Sequence, residues 1–396
     1  MGNFNGELMG ICRHAGVCGG CVHQGMDYSG QLCLKNAEVE ALLRNKSVNF
    51  KEYLGIEGSP SIYRYRNKME YTFGDMIKGG DMTLGMHRKK KYMSVETIDG
   101  CQIVDEDFNT ILAAVLGFCR EKGYSLYGKK THGGFLRNLI IRKGIRTNEL
   151  LVNIVTSSQE RLHDEEFVEL LLKLSLNNHI IGIINTINDG LADFVYCDKL
   201  NVLWGSEHYN DRIMGLDFKV SAFSFFQTNI PAVERLYTEA IALVDDFEGK
   251  IVLDLYCGTG TISQSMAIKA KKVIGIELSH EAVSSARENA KGNGLLNCEF
   301  IAGDVFEVME NLDCKPDVIV LDPPRAGVHP KALDKIIKYG TPEIVYISCN
   351  PKTLADNLYY LQYYGYCAEK IKAYDNFPFT QHCECVSYLK KENSNE

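Results

Sequence analysis

The sequence lacks any apolar run approaching the ~20 residues that a membrane-spanning helix needs. Its opening residues 1–10 also lack the basic segment followed by an apolar run that marks a secretory leader. We therefore expect a cytoplasmic protein with no membrane partner. Internal repeats are missing too, and the polar tail 392–396 is the one segment of low complexity. A content of 45% hydrophobic and 24% charged residues excludes the disordered and fibrous classes.

The chain has 396 residues, which suggests two or three domains at ~150 residues each. Residues 1–60 hold a group of cysteines and are predicted to form an N-terminal segment. Residues 61–215 mix basic, aromatic and β-branched residues, so we predict a mixed α+β domain there. Residues 216–396 alternate predicted strands and helices, which indicates a separate α/β domain.

Fourteen cysteines are unusual for a chain that we place in the cytosol, because thiols stay reduced there. Cys12, Cys18, Cys21 and Cys33 lie within the first 33 residues, and Cys101 stands alone much later. Metal binding or catalysis is therefore a better expectation than disulfide formation for some of these residues.

The net charge of −8 conceals two basic stretches. Residues 61–91 contain eight Lys and Arg against three acids, and residues 124–148 contain six with no acid. Aromatic and β-type residues lie between the charges, which predicts strands of a mixed sheet with one cationic face. Such a face could follow a phosphate backbone and favours nucleic acid as the partner. Two solvated strand faces are the alternative.

From about Ser221 onward, short apolar strands alternate with segments long enough for crossover helices, and one helix is predicted to start near Thr261. This pattern predicts a doubly wound parallel sheet. The predicted strands cover residues 250–255, 272–277, 298–304, 317–322 and 343–348.

A glycine-containing turn, D-L-Y-C-G-T-G at residues 254–260, follows the first of these strands. It is not the full dinucleotide fingerprint, because Ser263 replaces the third glycine. Parallel sheets bind ligands beyond the carboxyl ends of their strands, and an acid there can accept hydrogen bonds from ribose hydroxyls. A nucleoside ligand without a pyrophosphate fits best, and an ordinary αβ turn is the alternative. The acids that end successive strands are Asp254, Glu277, Asp304 and Asp322.

A second pair of candidate groups lies at the ends of later strands. Cys349 directly follows a strand and precedes a helix that begins with proline, a position that favours a thiolate nucleophile. Glu384 or His382, in the loop before the last strand, could act as a general base. A small buried side chain is the alternative for Cys349, and a surface carboxylate is the alternative for Glu384.

These segments resemble the RNA uracil-C5 methyltransferases that use S-adenosylmethionine. The resemblance implies that the C-terminal α/β domain is a Rossmann-like methyltransferase domain. The matching segments are F-S-F-F-Q-T-N (223–229), D-L-Y-C-G-T-G (254–260), G-I-E (275–277), D-P-P-R (322–325), S-C-N-P (348–351) and F-P-x-T-x-H-x-E (377–384), with Y-R-N-K-M-E (65–70) as a weaker match.

The resemblance also implies roles for single residues. Cys349 would add to C6 of uracil, which makes C5 able to attack an electrophilic methyl group. Glu384 would then remove the C5 proton so that the thiol can leave, with His382 as a supporting residue. The residues implied to contact S-adenosylmethionine are Gln227, Tyr256, Glu277 and Asp322, with Asp304 near the adenine.

The spacing Cys12-x5-Cys18-x2-Cys21, together with Cys101, resembles the ligand set of the 4Fe-4S cluster in the ribosomal-RNA branch of this family. From the residues alone, four thiolates fit zinc equally well. The implied role is structural, since methyl transfer needs no redox step, and the spare Cys33 is expected to be structural as well. The resemblance thus predicts an N-terminal α+β domain with an iron-sulfur site.

Many family members carry a small β-barrel RNA-binding domain ahead of the first cysteine, whereas 11 residues precede Cys12 here. We therefore expect RNA affinity to come from the basic sheet in residues 60–150 and from the catalytic domain. Phe225, Phe226 and Phe377 are candidates to stack on a flipped uridine, with core packing as the alternative. The expected partner is 23S rRNA or a ribosome assembly intermediate, and the expected state is a monomer.

Three other functions compete with this interpretation. The transfer-RNA branch of the family generally lacks the cysteine set, so the cysteines argue against it. A non-catalytic RNA-binding assembly factor would not need Cys349 and Glu384. An amino-methyltransferase would place an aromatic residue after the Asp-Pro-Pro turn, where this chain has Arg325.

Overall fold

The computed structural model describes residues 10–192 and 195–392. The predictions for the opening segment and the polar tail therefore fall outside the described residues, apart from Gly10 and Glu392. No helix in the described part of the chain is both long and apolar enough to cross a membrane. The described chain divides into two units, each made of segments that are not consecutive in sequence: residues 10–25, 61–212 and 219–223 in the first, and residues 26–60, 213–218 and 224–392 in the second.

The first unit is built on a seven-stranded mixed sheet in the order β4-β3-β2-β5-β6-β7-β8. Neighbouring strands are antiparallel except for β6 and β7, which are parallel. Its elements are β2 (Lys68–Asp75), β3 (Met82–Arg88), β4 (Lys91–Thr97), α2 (Glu106–Glu121), β5 (Leu136–Lys143), β6 (Glu149–Thr156), α3 (Asp164–Leu172), β7 (His179–Ile187) and β8 (Lys199–Gly205).

A small two-stranded sheet of β9 (His208–Ile213) and β10 (Leu216–Ser221) follows, and the chain passes between the units within this hairpin. Both strands alternate buried and exposed residues. That alternation is the pattern of a sheet with one buried face.

The second unit contains an eight-stranded sheet in the order β1-β16-β17-β15-β14-β11-β12-β13. All of its strands are parallel except β17, which is antiparallel to both neighbours. Its elements are α1 (Tyr28–Asn45), β1 (Phe50–Glu57), α4 (Ile230–Ala242), β11 (Ile251–Leu255), α5 (Thr261–Ala267), β12 (Lys272–Glu277), α6 (His280–Gly292), β13 (Cys298–Ala302), α7 (Val305–Glu310), β14 (Val318–Leu321), α8 (Pro330–Tyr339), β15 (Glu343–Ser348), α9 (Pro351–Gln362), β16 (Tyr366–Tyr374) and β17 (Glu384–Lys391).

The doubly wound sheet predicted from the sequence is present, and each predicted strand agrees with the observed one to within two residues. Every residue of β14 is buried, as expected for a parallel strand covered by helices on both faces. The strand order reverses between β11 and β14, because β12 and β13 extend to one side and β14 and β15 to the other. This reversal is the topological switch point, where open α/β sheets place their ligands.

One boundary differs from the sequence analysis, which grouped residues 26–60 with the N-terminal cysteines. In the structure these residues form α1 and β1 of the second unit. Strand β1 extends the large sheet by pairing in parallel with β16. Hydrophobic patterning gives a strand its buried face but not its pairing partner, so this long-range pairing left no local signal.

Candidate active site

The predicted nucleophile and base lie at one edge of the large sheet. Asp322 directly follows β14, and Cys349 directly follows β15. Glu384 is instead the first residue of β17. Because β17 runs antiparallel to β15, its first residue lies at the edge where the parallel strands end. Ser348 pairs with Cys385 across these strands, so the sheet register places Glu384 beside Cys349.

The turn after β11 adopts an unusual backbone conformation. Tyr256 has a φ of +68°, in the left-handed region that non-glycine residues rarely occupy. Gly260, at +75°, could not carry a side chain, because a Cβ there would lie 2.7 Å from the ring of Phe300. The backbone amide of Gly258 donates a hydrogen bond of 3.2 Å to Oε2 of Glu277. Strain of this kind is retained where a site needs a fixed backbone, as a ligand cradle does.

The other predicted cofactor residues surround the same turn. Nε2 of Gln227 donates to the hydroxyl of Tyr237 at 3.2 Å, and that hydroxyl lies 3.0 Å from Oγ1 of Thr261 at the start of α5. Asp304 lies two residues after β13. Burial raises the pKa of Tyr256, and the charge of Asp304 raises it further. Gln227, Tyr256, Glu277 and Asp304 are thus brought together around one turn.

Carboxyl groups are buried at the edge where the parallel strands of the large sheet end. They make the crevice beside the turn after β11 acidic. Burial raises the pKa of Asp254 to about 8, although a hydrogen bond from Ser263 opposes the shift and the charges of Asp322 and Glu277 add to it. Burial also raises the pKa of Asp322 to about 7. Oδ1 of Asp254 is buried without a hydrogen-bond partner. A ligand that carries a positive charge would relieve this crowding of acids, so the side chains fit the sulfonium cation of S-adenosylmethionine.

The thiol of Cys349 does not have the low pKa expected from its place before a helix. Burial raises the pKa of Cys349 to about 11, with further increases from Glu384 and Asp322 that outweigh the opposite effect of Arg325. The surroundings of Cys349 therefore oppose the thiolate that its place before the helix was expected to favour. The N-cap of α9 is Asn350, so Cys349 lies one residue outside the helix end. It is therefore beyond the first turn, in which the helix dipole acts most strongly.

Glu384 is suited to exchange a proton near neutral pH. Burial and the charge of Asp322 raise the pKa of Glu384 to about 8, and Arg325 acts in the opposite direction. General bases work best when their pKa lies near the operating pH. His382, the other candidate base, has Nε2 at 3.2 Å from Nη2 of Arg325.

Arg325 is a site residue that the sequence analysis did not assign. It affects the pKa values of both Cys349 and Glu384, and its backbone carbonyl accepts a hydrogen bond of 3.0 Å from Nδ2 of Asn350. The signal was present in the segment D-P-P-R, since this residue follows a rigid turn at the end of a strand that carries another candidate site residue, Asp322.

The three aromatic candidates for base stacking differ in exposure. Phe226 is buried, and its ring centroid lies 5.9 Å from that of Phe218, so core packing is the correct interpretation for this residue. Phe225 is 71% exposed. Phe377 is partly buried and meets the ring of His382 edge-on at 6.3 Å.

The four predicted metal-binding cysteines line one small cavity in the first unit. This cavity is lined by Cys12, Cys18, Cys21 and Cys101, and all four are free of disulfides. Burial raises the pKa of Cys21 to about 12 and that of Cys101 to about 11, and neighbouring thiols add to both shifts.

Within the described ranges, no group of three or more His, Cys, Asp or Glu residues is arranged to hold a metal ion. The cavity thus brings four thiols together, which are suitable donors for a metal centre, but the described side chains do not form a metal-binding group. Cys33, by contrast, is exposed on α1 of the second unit.

The cationic sheet face expected in the first unit is only partly present. Arg137 is buried and donates hydrogen bonds to the carbonyls of Asn188, Gly190 and Ala192. Arg142 is also buried. Both guanidinium groups therefore have structural roles, because their heads face the interior rather than solvent. Exposed lysines remain at the turn between β3 and β4.

Comparison with known proteins identifies the family. A sequence model described as tRNA (Uracil-5-)-methyltransferase matches residues 27–392. An uncharacterised RNA methyltransferase of Clostridium tetani is 50% identical over 383 residues, which cover 97% of this chain and 84% of the relative. A second, from Clostridium acetobutylicum, is 50% identical over 390 residues, which cover 98% and 86%. The chain belongs to the tRNA (uracil-5-)-methyltransferase family.

A solved structure shows the same fold for a member with a stated activity. The tRNA (uracil-54, C5)-methyltransferase of Pyrococcus abyssi, in complex with S-adenosyl-L-homocysteine, is 27% identical with a TM-score of 0.76. The match covers 94% of this chain and 86% of that one. Membership in this family of S-adenosylmethionine-dependent enzymes implies methyltransferase activity and an RNA substrate.

Proposed function

We propose that the protein is a monomeric cytoplasmic enzyme that methylates C5 of a uridine in 23S rRNA. The observation that carries this proposal is the placement of a thiol, a carboxyl base and an acidic cofactor crevice at one edge of a single sheet. Cys349 directly follows β15, Asp322 directly follows β14 and Glu384 begins β17. A uracil C5 methyltransferase needs a nucleophile and a base at one ring, and the sheet register supplies both as neighbours.

Each step follows from a residue of the chain. The Cys349 thiol gives up its proton to solvent, its sulfur bonds to C6 of the uracil, and the electrons of the C5–C6 double bond move to make C5 nucleophilic. Bound S-adenosylmethionine would supply the methyl group to C5 and leave as S-adenosylhomocysteine. The carboxylate of Glu384 then accepts the C5 proton, the electrons of that C–H bond reform the C5–C6 double bond, and the sulfur of Cys349 leaves as a thiolate. Arg325 can stabilise negative charge in this crevice, because its positive charge lowers the pKa of both Cys349 and Glu384.

The cofactor is proposed to lie along the turn after β11. Gln227, Tyr256 and Asp322 would contact it, with Glu277 at the ribose hydroxyls and Asp304 near the adenine. Both carboxylate oxygens of Glu277 accept backbone hydrogen bonds, from Ser279 at 2.9 Å and Gly258 at 3.2 Å. These bonds fix the carboxylate, and carboxylate oxygens retain lone pairs for further donors.

The four-thiolate cavity is proposed to hold a 4Fe-4S cluster through Cys12, Cys18, Cys21 and Cys101. The supporting observation is that Cys101, distant in sequence, lines the same small cavity as the other three thiols. The segment that carries the first three is already joined to β3 and to the turn after it by backbone hydrogen bonds. Gly19 donates to the carbonyl of His87 at 3.2 Å, and Lys89 donates to the carbonyl of Val17 at 2.8 Å. A cluster would lock this attachment and so have a structural role.

RNA is proposed to contact the exposed turn between β3 and β4. Lys89, Lys90 and Lys91 are exposed there, and the next residue, Tyr92, is 61% exposed. Nζ of Lys129 lies 4.8 Å from the centre of the Tyr92 ring. Lysines beside an exposed aromatic ring are typical of surfaces that bind single-stranded RNA, since they combine phosphate attraction with stacking.

Transfer RNA is the second candidate substrate. The solved structure with the same fold is a tRNA (uracil-54, C5)-methyltransferase. The cysteine set, in contrast, resembles the ribosomal-RNA branch, and for this reason we place 23S rRNA first.

One experiment tests both substrates. Protein purified without oxygen is incubated with S-adenosylmethionine and with unmodified large-subunit ribosomal RNA or transfer RNA, and nucleosides are measured by mass spectrometry. 5-methyluridine in the ribosomal sample alone is the expected result. Its appearance in transfer RNA would replace the proposed substrate, and its absence from both would favour a non-catalytic RNA-binding assembly factor.

A further inference from the structure

A buried lysine far from the active site in sequence lies under the loop that precedes Glu384. Lys35 is on α1 and is 1% exposed. Its Nζ donates to Oδ1 of Asp375 at 2.6 Å, to the carbonyl of Phe377 at 3.1 Å and to the carbonyl of His382 at 3.0 Å. All three protons of the ammonium group are therefore used, and every acceptor belongs to the loop 375–383.

A second polar side chain on the same helix face holds the same loop. Gln31 lies one turn before Lys35 and is fully buried. Its Oε1 accepts a hydrogen bond of 2.8 Å from the backbone amide of Phe379, while its Nε2 donates to the carbonyl of Met26 at 2.9 Å. The loop is thus fixed at both of its ends and in its middle by one helix.

The loop itself connects β16 to the proposed base. It carries Phe377 and His382, and the ring of His382 contacts Arg325. Its last residue precedes Glu384, which pairs with Tyr374 across β16 and β17. The sheet fixes the backbone of Glu384 from one side, and the lysine fixes the chain two residues earlier, at the carbonyl of His382.

We propose that Lys35 is a positioning residue that holds the loop 375–383 so that Glu384 reaches the C5 proton. This inference rests on the proposed function, in which Glu384 is the base. Removal of the ammonium group would free three acceptors of the loop and leave a buried carboxylate unpaired. A loosened loop would slow proton removal, because small displacements of a positioned group can reduce a rate by about 10²-fold.

The test uses a variant that avoids an unpaired buried charge. Lys35→Met is combined with Asp375→Asn, so that neither partner of the ion pair remains. The matched control is Lys250→Met. It breaks a half-buried ion pair in which Nζ of Lys250 lies 2.5 Å from Oε1 of Glu343, at the opposite end of the strands of the same sheet. A further variant, Gln31→Met, removes an uncharged contact with the same loop.

Three quantities are measured for each full-length variant: S-adenosylmethionine binding, steady-state turnover and the fraction of protein bound covalently to RNA on a denaturing gel. The double variant is expected to bind S-adenosylmethionine as the wild type does, to turn over about 10²-fold more slowly and to accumulate the covalent adduct. Gln31→Met should shift the adduct fraction in the same direction, and Lys250→Met should match the wild type.

RNA that contains 5-fluorouridine separates the two proposals. Fluorine at C5 cannot leave as a proton, so the wild type should form a stable adduct with this RNA. Absence of that adduct would overturn the proposed function, and this inference with it. A wild-type adduct together with normal turnover in the double variant would overturn the role of Lys35 alone. If the double variant loses both S-adenosylmethionine binding and adduct formation, the role of Lys35 is also overturned, since Lys35 would then serve the fold only.

Discussion

At the scale of the residue, the chemistry depends on how the protein handles two protons. Burial and the charges of Glu384 and Asp322 keep the Cys349 thiol protonated in the protein alone. The positive charge of the cofactor would oppose these carboxylates, so thiolate formation is expected to follow cofactor binding. Such an order would protect the thiol from other electrophiles until the methyl donor is in place.

Replacement of the thiol tests this step directly. We expect Cys349→Ala to reduce methyl transfer by about 10³-fold or more, because no other described group replaces the bond to C6. S-adenosylmethionine binding should be unchanged, since the proposed cofactor contacts lie elsewhere along the sheet edge. Equilibrium binding and methyl incorporation into RNA are the measurements. Retained turnover, or loss of cofactor binding, would remove Cys349 as the nucleophile.

Replacement of the base should stop the reaction one step later. We expect Glu384→Gln to slow turnover by about 10²- to 10⁴-fold, the usual contribution of a general base. Addition and methylation need no proton removal from C5, so a methylated protein–RNA adduct should persist under denaturing conditions. Cys349→Ala serves as the control that forms none. A Glu384→Gln gel without RNA-linked protein would argue against this assignment.

At the scale of the element, the sequence predicted where the strands lie better than it predicted which strands pair with each other. Continuous apolar runs predicted β11 to β15, because buried parallel strands carry a local signal. Pairing of β1 with β16 joins segments more than 300 residues apart, and nothing local in β1 indicates it. The positions of the basic side chains were also not predictable. The sequence shows which residues are charged but not which are buried, and Arg137 and Arg142 are both buried.

The cysteine segment, residues 12–21, can be tested as one element. Cys12→Ser is expected to lose iron and the visible absorbance of an iron-sulfur cluster, because a four-thiolate centre would lack one ligand. Cys33→Ser is the matched control, since Cys33 is exposed and lies on α1. Metal analysis of protein purified without oxygen separates iron from zinc. An unchanged spectrum in Cys12→Ser would indicate a different ligand set.

At the scale of the whole molecule, the units are assembled from segments that alternate along the chain. The sequence was sufficient to propose Cys349, Glu384 and the acids at the strand ends as site residues, because each lies in a short local pattern. It did not predict the contacts of Lys35, whose acceptor on Asp375 is 340 residues away. Helix α1 buries Gln31 and Lys35 among apolar positions, and such polar residues on a buried helix face are the available signal for a tethering role.

The acidic crevice also makes a prediction about stability as a function of pH. Burial raises the pKa values of Asp254 and Glu384 to about 8 and that of Asp322 to about 7, all well above their usual range. At these three carboxyl groups the folded protein therefore binds more protons than the unfolded chain between pH 5 and 8. Stability from such groups is present at low pH and is lost as the pH rises through the folded pKa values.

We expect the free energy of unfolding of the cofactor-free protein to fall between pH 5.5 and pH 8. A single pKa unit on one carboxylate corresponds to about 1.4 kcal/mol, so the loss should be at least of that size. Urea unfolding at both pH values measures it. Asp254→Asn and Asp322→Asn remove one titrating group each and should flatten the dependence. A wild-type stability that is constant over this range, or a dependence that both variants retain, would show that these carboxylates do not set it.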